Sequence, residues 1–207
     1  MSRWSIHVWF LVAIWPSIVV ADMIDTTGLK PWEPCALCHG IDGVSAMAKF
    51  PRLAGQPEAY LVKQLEDFRY AHRLNDDNVM ADNAGLLSRK QVLAVAKYFS
   101  ERDAPLPIEA GEFANRKLGG ALFKLGRSAT KLPACASCHV DGEPSENYPA
   151  LTAQHPGYIE KQLRDFRDGR RQNDPDGVMQ GIAAKLTERE IKAVAAYAGN
   201  QSRQKRK

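Results

Sequence analysis

Apolar positions along this chain recur at helical spacing. Leu61, Leu65, Phe68 and His72 follow one another at intervals of four, three and four, one face of a helix, and Ile159, Leu163 and Phe166 repeat that face. Pro57 stands near the start of the first run, where its missing N–H costs nothing. Ser88 with Gln91, and Thr187 with Glu190, have the form of a capping box and predict the start of a further helix in each half. No run alternates apolar and polar residues as a strand would, so the chain reads as all-α.

The pattern is written twice. With Pro51 set over Pro149, "PRLAGQPEAYLVKQLEDFRYAHRLND" aligns without a gap with "PALTAQHPGYIEKQLRDFRDGRRQND". Leu53/Leu151, Gln56/Gln154, Tyr60/Tyr158, Gln64/Gln162, Leu65/Leu163, Phe68/Phe166, Arg69/Arg167, Arg73/Arg171 and Asn75/Asn173 coincide. Two copies make a pair of similar domains rather than a solenoid. The stretch "DAPLPIE", residues 103–109, places prolines between helical patterns and predicts the boundary, giving domains over 22–104 and 105–207.

The first 21 residues have a different character. After Arg3 an apolar run extends from Ile6 to Ala21 without Asp, Glu, Lys or Arg, contains Pro16 and closes on Val19-Val20-Ala21. That is shorter than the ~20 apolar residues of a spanning helix and ends in a small-residue cleavage pattern. We read residues 1–21 as a signal peptide cleaved after Ala21, the alternative being an uncleaved anchor. Either way the rest is exported.

Without Arg3 there remain 27 basic and 24 acidic residues, a net charge of +3. Arg203, Lys205, Arg206 and Lys207 crowd the last five positions, read as a disordered, solvated tail. Docking of that tail to an acidic partner or peripherally to an anionic membrane is the alternative. Nothing in the body of the chain suggests nucleic-acid binding.

The chemistry lies in the cysteines. All four fall in two cassettes, "PCALCHGIDG" and "PACASCHVDG", giving Cys35, Cys38, His39 and Cys135, Cys138, His139. C-x-x-C-H is the pattern of covalent c-type haem attachment. Two thiols at that spacing reach the two vinyl groups of one porphyrin, and the next residue puts an imidazole under the iron. A single zinc site would have to close across 96 intervening residues and would leave both histidines unexplained. A thioredoxin-like pair needs a βαβ context that is missing, and two plain disulfides would make the histidines coincidental. The chain therefore predicts two covalently attached haem c groups.

The sixth iron position separates carriers from enzymes. Met80 lies 41 residues after His39 and Met179 lies 40 after His139, each just beyond an Asn-Asp pair. Only these methionines repeat, so they are the expected second axial ligands. His72 and His155 have no counterparts and are expected at the surface; Met47 is expected in packing. A thioether and an imidazole saturate the iron and raise its potential relative to two histidines, which suits single-electron transfer rather than oxygen or peroxide activation. Pro51 and Pro149 are expected to offer backbone carbonyls to the proximal imidazoles. Arg73 and Arg171, or Arg69 and Arg167, either neutralise haem propionates or lie solvated on helix faces. Four propionates would offset the net +3.

On these motifs the chain resembles class I c-type cytochromes, and more closely the dihaem cytochrome c4 family. C-x-x-C-H, P-x-L-x-x-Q, Y-x-x-x-Q-L-x-x-F-R, Asn-Asp with methionine, and a capped last helix occur in that order twice, over essentially the whole mature chain. The resemblance implies two tandem class I cytochrome c domains facing one another in the bacterial periplasm, with electrons delivered to a terminal oxidase. It carries the axial pairs over to His39 with Met80 and His139 with Met179, and the carbonyl role to Pro51 and Pro149. One departure stands out. A class I domain opens with a helix across its last helix; 110–125 supplies one for the second copy, whereas 22–34, with a glycine and two prolines, is too short and broken.

The leading expectation is an electron carrier, not an enzyme, taking electrons from a quinol-oxidising complex or dehydrogenase and passing them to a terminal oxidase. A second is an electron-accepting subunit of a periplasmic flavoprotein or alcohol dehydrogenase. A third, a haem peroxidase or thiosulfate-oxidising enzyme, would need an open iron position, a bis-histidine haem or a cysteine ligand, and no cysteine is spare.

Overall fold

The computed structural model describes residues 28–108, 115–139 and 145–203. The segment 1–21 with its expected cleavage point, and Lys205, Arg206 and Lys207 of the basic tail, lie outside the described residues. Among the described residues the regular structure is helical, and strand-like pairing is limited to an isolated bridge between Arg127 and Leu132. No helix there is long and apolar enough to cross a membrane.

The first half carries α1 (Ala36–His39), α2 (Glu58–Arg69), α3 (Val79–Gly85) and α4 (Arg89–Ser100). The second carries α5 (Arg116–Leu125), α6 (Ala136–His139), α7 (Pro156–Arg167), α8 (Val178–Ala183) and α9 (Glu188–Gly199). Both capping boxes form: Ser88 and Thr187 accept from the N–H three residues on, and Gln91 and Glu190 accept in return from the cap N–H at 2.9 and 2.8 Å. These reciprocal bonds satisfy donors that a helix start leaves unpaired, which is why α4 and α9 begin at equivalent positions.

Helix α2 is shorter than its apolar spacing implied, so His72 falls outside it. Ala71 adopts a left-handed conformation (φ 58°), and the N–H groups of His72 and Arg73 both turn back onto Asp67 O at 2.7 and 3.0 Å. This reversal leaves His72 exposed and swings Arg73 inward, where it is 5% exposed.

Each half has its own apolar cluster. Leu61, Val95, Ala96 and Phe99 form the first; Leu122, Phe123, Ile159, Leu163, Phe166, Ile191 and Val194 belong to the second. In the second half α5 crosses α9 at close range, because a Cβ at Gly119 would sit 2.9 Å from Tyr197 Cβ and one at Gly120 2.9 Å from the Tyr197 ring. The helix expected over 110–125 is seen as Arg116–Leu125, with 110–114 outside the described residues. In the first half the described residues 28–34 form turns. There Trp32 lies flat on Tyr98, ring centroids 4.3 Å apart and planes 7° from parallel, occupying part of the place that α5 holds over Tyr197. Ala94 and Tyr98 are half-buried where Ala193 and Tyr197 are buried.

Three expectations from the sequence are corrected. His155 is buried: its Nε2 lies 3.0 Å from Ser45 O, which can only accept, so that nitrogen carries the proton and joins the two halves. It stands ahead of α7, a helix that packs against the first half, and so leaves the surface. Arg203 is buried rather than solvated, donating to Ala54 O at 2.6 Å and Thr152 O at 2.7 Å, because the chain beyond α9 runs back over the junction. Met47 is 55% exposed rather than packed.

Candidate haem sites

Each cassette folds as one helical turn. His39 N donates to Cys35 O and His139 N to Cys135 O, both at 3.0 Å, so two thiols and an imidazole leave the same turn. After His39, Gly40 reverses the chain at φ 77°, and Gly43 (φ 76°) fits where a Cβ would lie 2.7 Å from Ala54 N. Gly43 O accepts from Leu53 N at 2.8 Å, and this bond sets the following Pro51 loop against the imidazole.

The two histidines are held alike. His39 Nδ1 lies 2.9 Å from Pro51 O and His139 Nδ1 lies 2.9 Å from Pro149 O. A carbonyl accepts only, so Nδ1 carries the proton and Nε2 keeps its lone pair. Phe50 and Tyr148 each meet an imidazole edge-on at about 6 Å. Burial, partly offset by the proline carbonyls, holds both imidazoles below the usual histidine pKa and hence neutral, the form that ligates metal. Burial pushes the Cys35 and Cys135 thiols up to about 11. No cluster of three or more His, Cys, Asp or Glu able to hold a metal ion occurs among the described residues.

Met80 and Met179 are half-buried at the starts of α3 and α8. The Asn-Asp pairs ahead of them divide their work. Asp76 accepts from Met80 N and Asp174 from Met179 N, each at 2.7 Å, fixing the methionine backbones. Asn75 and Asn173 turn the other way, towards the opposite half.

One continuous cavity of about 820 Å³ is lined from both halves, by Cys35, Cys38, His39 and Met80 and by Cys135, Cys138, His139 and Met179. Its remaining wall is mainly apolar, with Leu61, Leu65 and Phe68 matched by Ile159, Leu163 and Phe166. A paired thiol rim, an imidazole lone pair, a thioether and apolar walls, present twice, fit a flat macrocycle with a central metal.

The junction adds charge. Arg73 bonds Gln64 Oε1 (2.7 Å), Asn75 Oδ1 (2.9 Å), Tyr158 Oη (3.0 Å) and Gln162 Oε1 (2.9 Å); Arg171 bonds Gln162, Asn173 and Gln64. Each guanidinium also stacks on its own half's phenylalanine, Phe68 or Phe166, at 4.6 and 4.5 Å. Among the described residues neither has a carboxylate at salt-bridge distance, so two buried cations face the cavity with neutral partners. A haem carboxylate fits that position. Arg69 and Arg167 are instead engaged in ion pairs, with Glu66 and with Asp168 and Glu188, away from the cavity wall.

Several residues here had no role assigned from sequence. Gln56, Gln64, Gln154 and Gln162 are each under 10% exposed, and bond across the junction. Their signal was present in the repeat: a polar residue retained at the same position in both copies.

Residues 119–201 match the Cytochrome c family. The chain is 38% identical to cytochrome c4 of Pseudomonas aeruginosa, the match covering 79% of this chain and 81% of that protein. It is 39% identical to a thiosulfate dehydrogenase electron acceptor of Thiomonas intermedia, over 79% and 76%. The solved structure of reduced recombinant cytochrome c4 from Pseudomonas stutzeri superposes with a TM-score of 0.74 at 35% identity, covering 82% of this chain and 94% of that one. Twin cassettes, a doubled helical module and these likenesses converge on one conclusion: the chain belongs to the cytochrome c4 family and is a dihaem electron-transfer cytochrome with covalently bound haem c.

Proposed function

We propose that the protein is a periplasmic shuttle that receives single electrons from a quinol-oxidising complex and passes them to a terminal oxidase. The observation that carries this reading is the matched pair of His and Met sites on one cavity, joined by a shared cationic junction. In it, residues 22–104 and 105–207 form two domains, following the two apolar clusters, and residues 1–21 direct export.

His39 with Met80, and His139 with Met179, would be the axial ligands, while Cys35 with Cys38 and Cys135 with Cys138 would form the thioether links. Haem held this way supplies one-electron chemistry. The protein's part is to fix imidazole orientation through Pro51 and Pro149, to keep water from the metal with apolar walls, and to balance carboxylates with Arg73 and Arg171. Filling both axial positions leaves no open site for substrate, which favours transfer over catalysis.

Likeness to electron acceptors of thiosulfate dehydrogenase favours a second reading, in which the donor is a sulfur-compound dehydrogenase. Anaerobic mixing separates the two. The oxidised holoprotein is mixed with a reduced quinol-oxidising complex or with thiosulfate dehydrogenase and thiosulfate, and haem reduction is followed optically. Fast reduction by the former supports the first reading; fast reduction only by the latter replaces it with the second.

A further inference from the structure

Two glutamines cross the junction in a reciprocal arrangement. Gln154 Oε1 accepts from Arg52 N at 2.9 Å and Gln154 Nε2 donates to Arg52 O at 3.0 Å. Gln56 Oε1 accepts from Ala150 N and Gln56 Nε2 donates to Ala150 O, both at 2.9 Å. Each amide oxygen accepts from a backbone N–H across the junction and each amide nitrogen donates to the C=O of that same residue, so its orientation is fixed by its partners. Both side chains are buried, at 3% and 4% exposure.

Arg52 follows Pro51, and Ala150 follows Pro149. The Arg52 N–H therefore belongs to the same peptide group as Pro51 C=O, which holds His39 Nδ1, and the Ala150 N–H to the same group as Pro149 C=O, which holds His139 Nδ1. Peptide resonance couples the two ends of that group. An acceptor on the N–H draws electron density onto the oxygen, and hydrogen bonds in such a chain strengthen one another. A stronger carbonyl acceptor makes the imidazole a better donor through its other nitrogen.

We propose that each half's glutamine tunes the proximal histidine of the other half: Gln56 acts on His139 through the Pro149–Ala150 peptide, and Gln154 acts on His39 through the Pro51–Arg52 peptide. They are positioning residues, lowering the potential of the haem on the far side. The proposal rests on the assignment of His39 and His139 as iron ligands made above.

The two arms are unequal for a reason visible in the chain. Gln154 Oε1 is shared, since it also accepts from His155 N at 3.0 Å. At the equivalent place the first half has Pro57, which has no N–H, so Gln56 Oε1 is not divided in this way. The His139 site therefore receives the stronger push.

The test is a spectroelectrochemical titration of the dihaem holoprotein, with the two haems told apart by their haem-methyl NMR signals. Gln56→Met should raise the midpoint of the haem on His139 and leave that on His39 in place. Gln154→Met should raise the midpoint of the haem on His39, by a smaller amount. Pro57→Ala, a milder change that keeps Gln56 and supplies a competing N–H, should raise the His139 haem alone. Lys63→Met removes a bond across the junction, to Asn173 O at 2.7 Å, without touching either amide contact, and should not reproduce the crossed pattern. A shift of the same-half haem, equal shifts of both, or no shift in a protein with intact low-spin His/Met spectra overturns the proposal alone. Absence of those spectra from the unsubstituted protein overturns the ligand assignment and the proposal with it.

Discussion

Arg73 of the first half donates to Gln162 of the second at 2.9 Å, and the repeat returns the bond from Arg171 to Gln64 at the same distance. Each guanidinium is also anchored in its own half, so the junction is closed by two interlocked copies of one contact. Arg73→Met would remove the guanidinium donor from Tyr158 Oη and Asn75 Oδ1 and one of the two guanidinium donors on each of Gln64 and Gln162, at a cost of about 1–3 kcal/mol. Arg73→Lys should not restore the loss, because an ammonium cannot reproduce the planar fork. Thermal unfolding of the holoprotein checks both: the two variants should melt clearly below the parent.

Met80→Ala and Met179→Ala test the axial assignment one site at a time. Each should lower the potential of one haem, since a thioether ligand favours Fe(II). Each should also remove about half of the weak long-wavelength sulfur-to-iron absorption, the share of one site in two. A variant that keeps the full band and both midpoints would rule out that methionine as a ligand.

Gly119→Ala addresses the crossing of α5 over α9. The new Cβ would fall 2.7 Å from Ala193 C and 2.9 Å from Tyr197 Cβ, against the backbone and the first side-chain carbon of α9, which cannot step aside. Overpacking of this kind costs about 1–3 kcal/mol. The second half should lose stability while the first half's haem spectrum stays unchanged, which unfolding followed at each haem would read directly. No such effect is expected from Gly181→Ala, where nothing lies within 4 Å.

Acid sensitivity should centre on Asp165. Its burial alone would raise the carboxyl pKa, but Lys161 at 2.5 Å, Asn75 at 2.6 Å and Arg170 at 2.9 Å more than offset that and hold it below the usual value of 3.8. A carboxyl depressed in the folded state contributes stability that is present above its unfolded pKa and lost as pH falls through the folded one. Asp165→Asn should therefore be less stable than the parent at neutral pH by about 1–3 kcal/mol. The gap should close as the pH drops below the ordinary carboxylate range. Denaturant titrations over a falling pH series would show a constant gap if Asp165 were not the group responsible.

What the sequence by itself determined is what short stretches of chain encode. The C-x-x-C-H turns, both capping boxes and the apolar faces of α2 and α7 depend on residues a few positions apart, and the repeat makes each readable twice. Only the tertiary structure decided how the halves meet. Gln154 reaches Arg52 across 102 positions, Gln56 reaches Ala150 across 94, and His155 reaches Ser45 across 110. The same holds for Arg203, which reads as a tail residue by composition and becomes a buried donor only because α9 ends beside the junction. Arg73 and Arg69 look equally suited to meet haem carboxylates; the left-handed turn at Ala71 sends one inward, while Glu66 keeps the other in an ion pair. Burial and partnership across such separations depend on two folded surfaces coming together, and no local pattern of side chains records which surfaces those are.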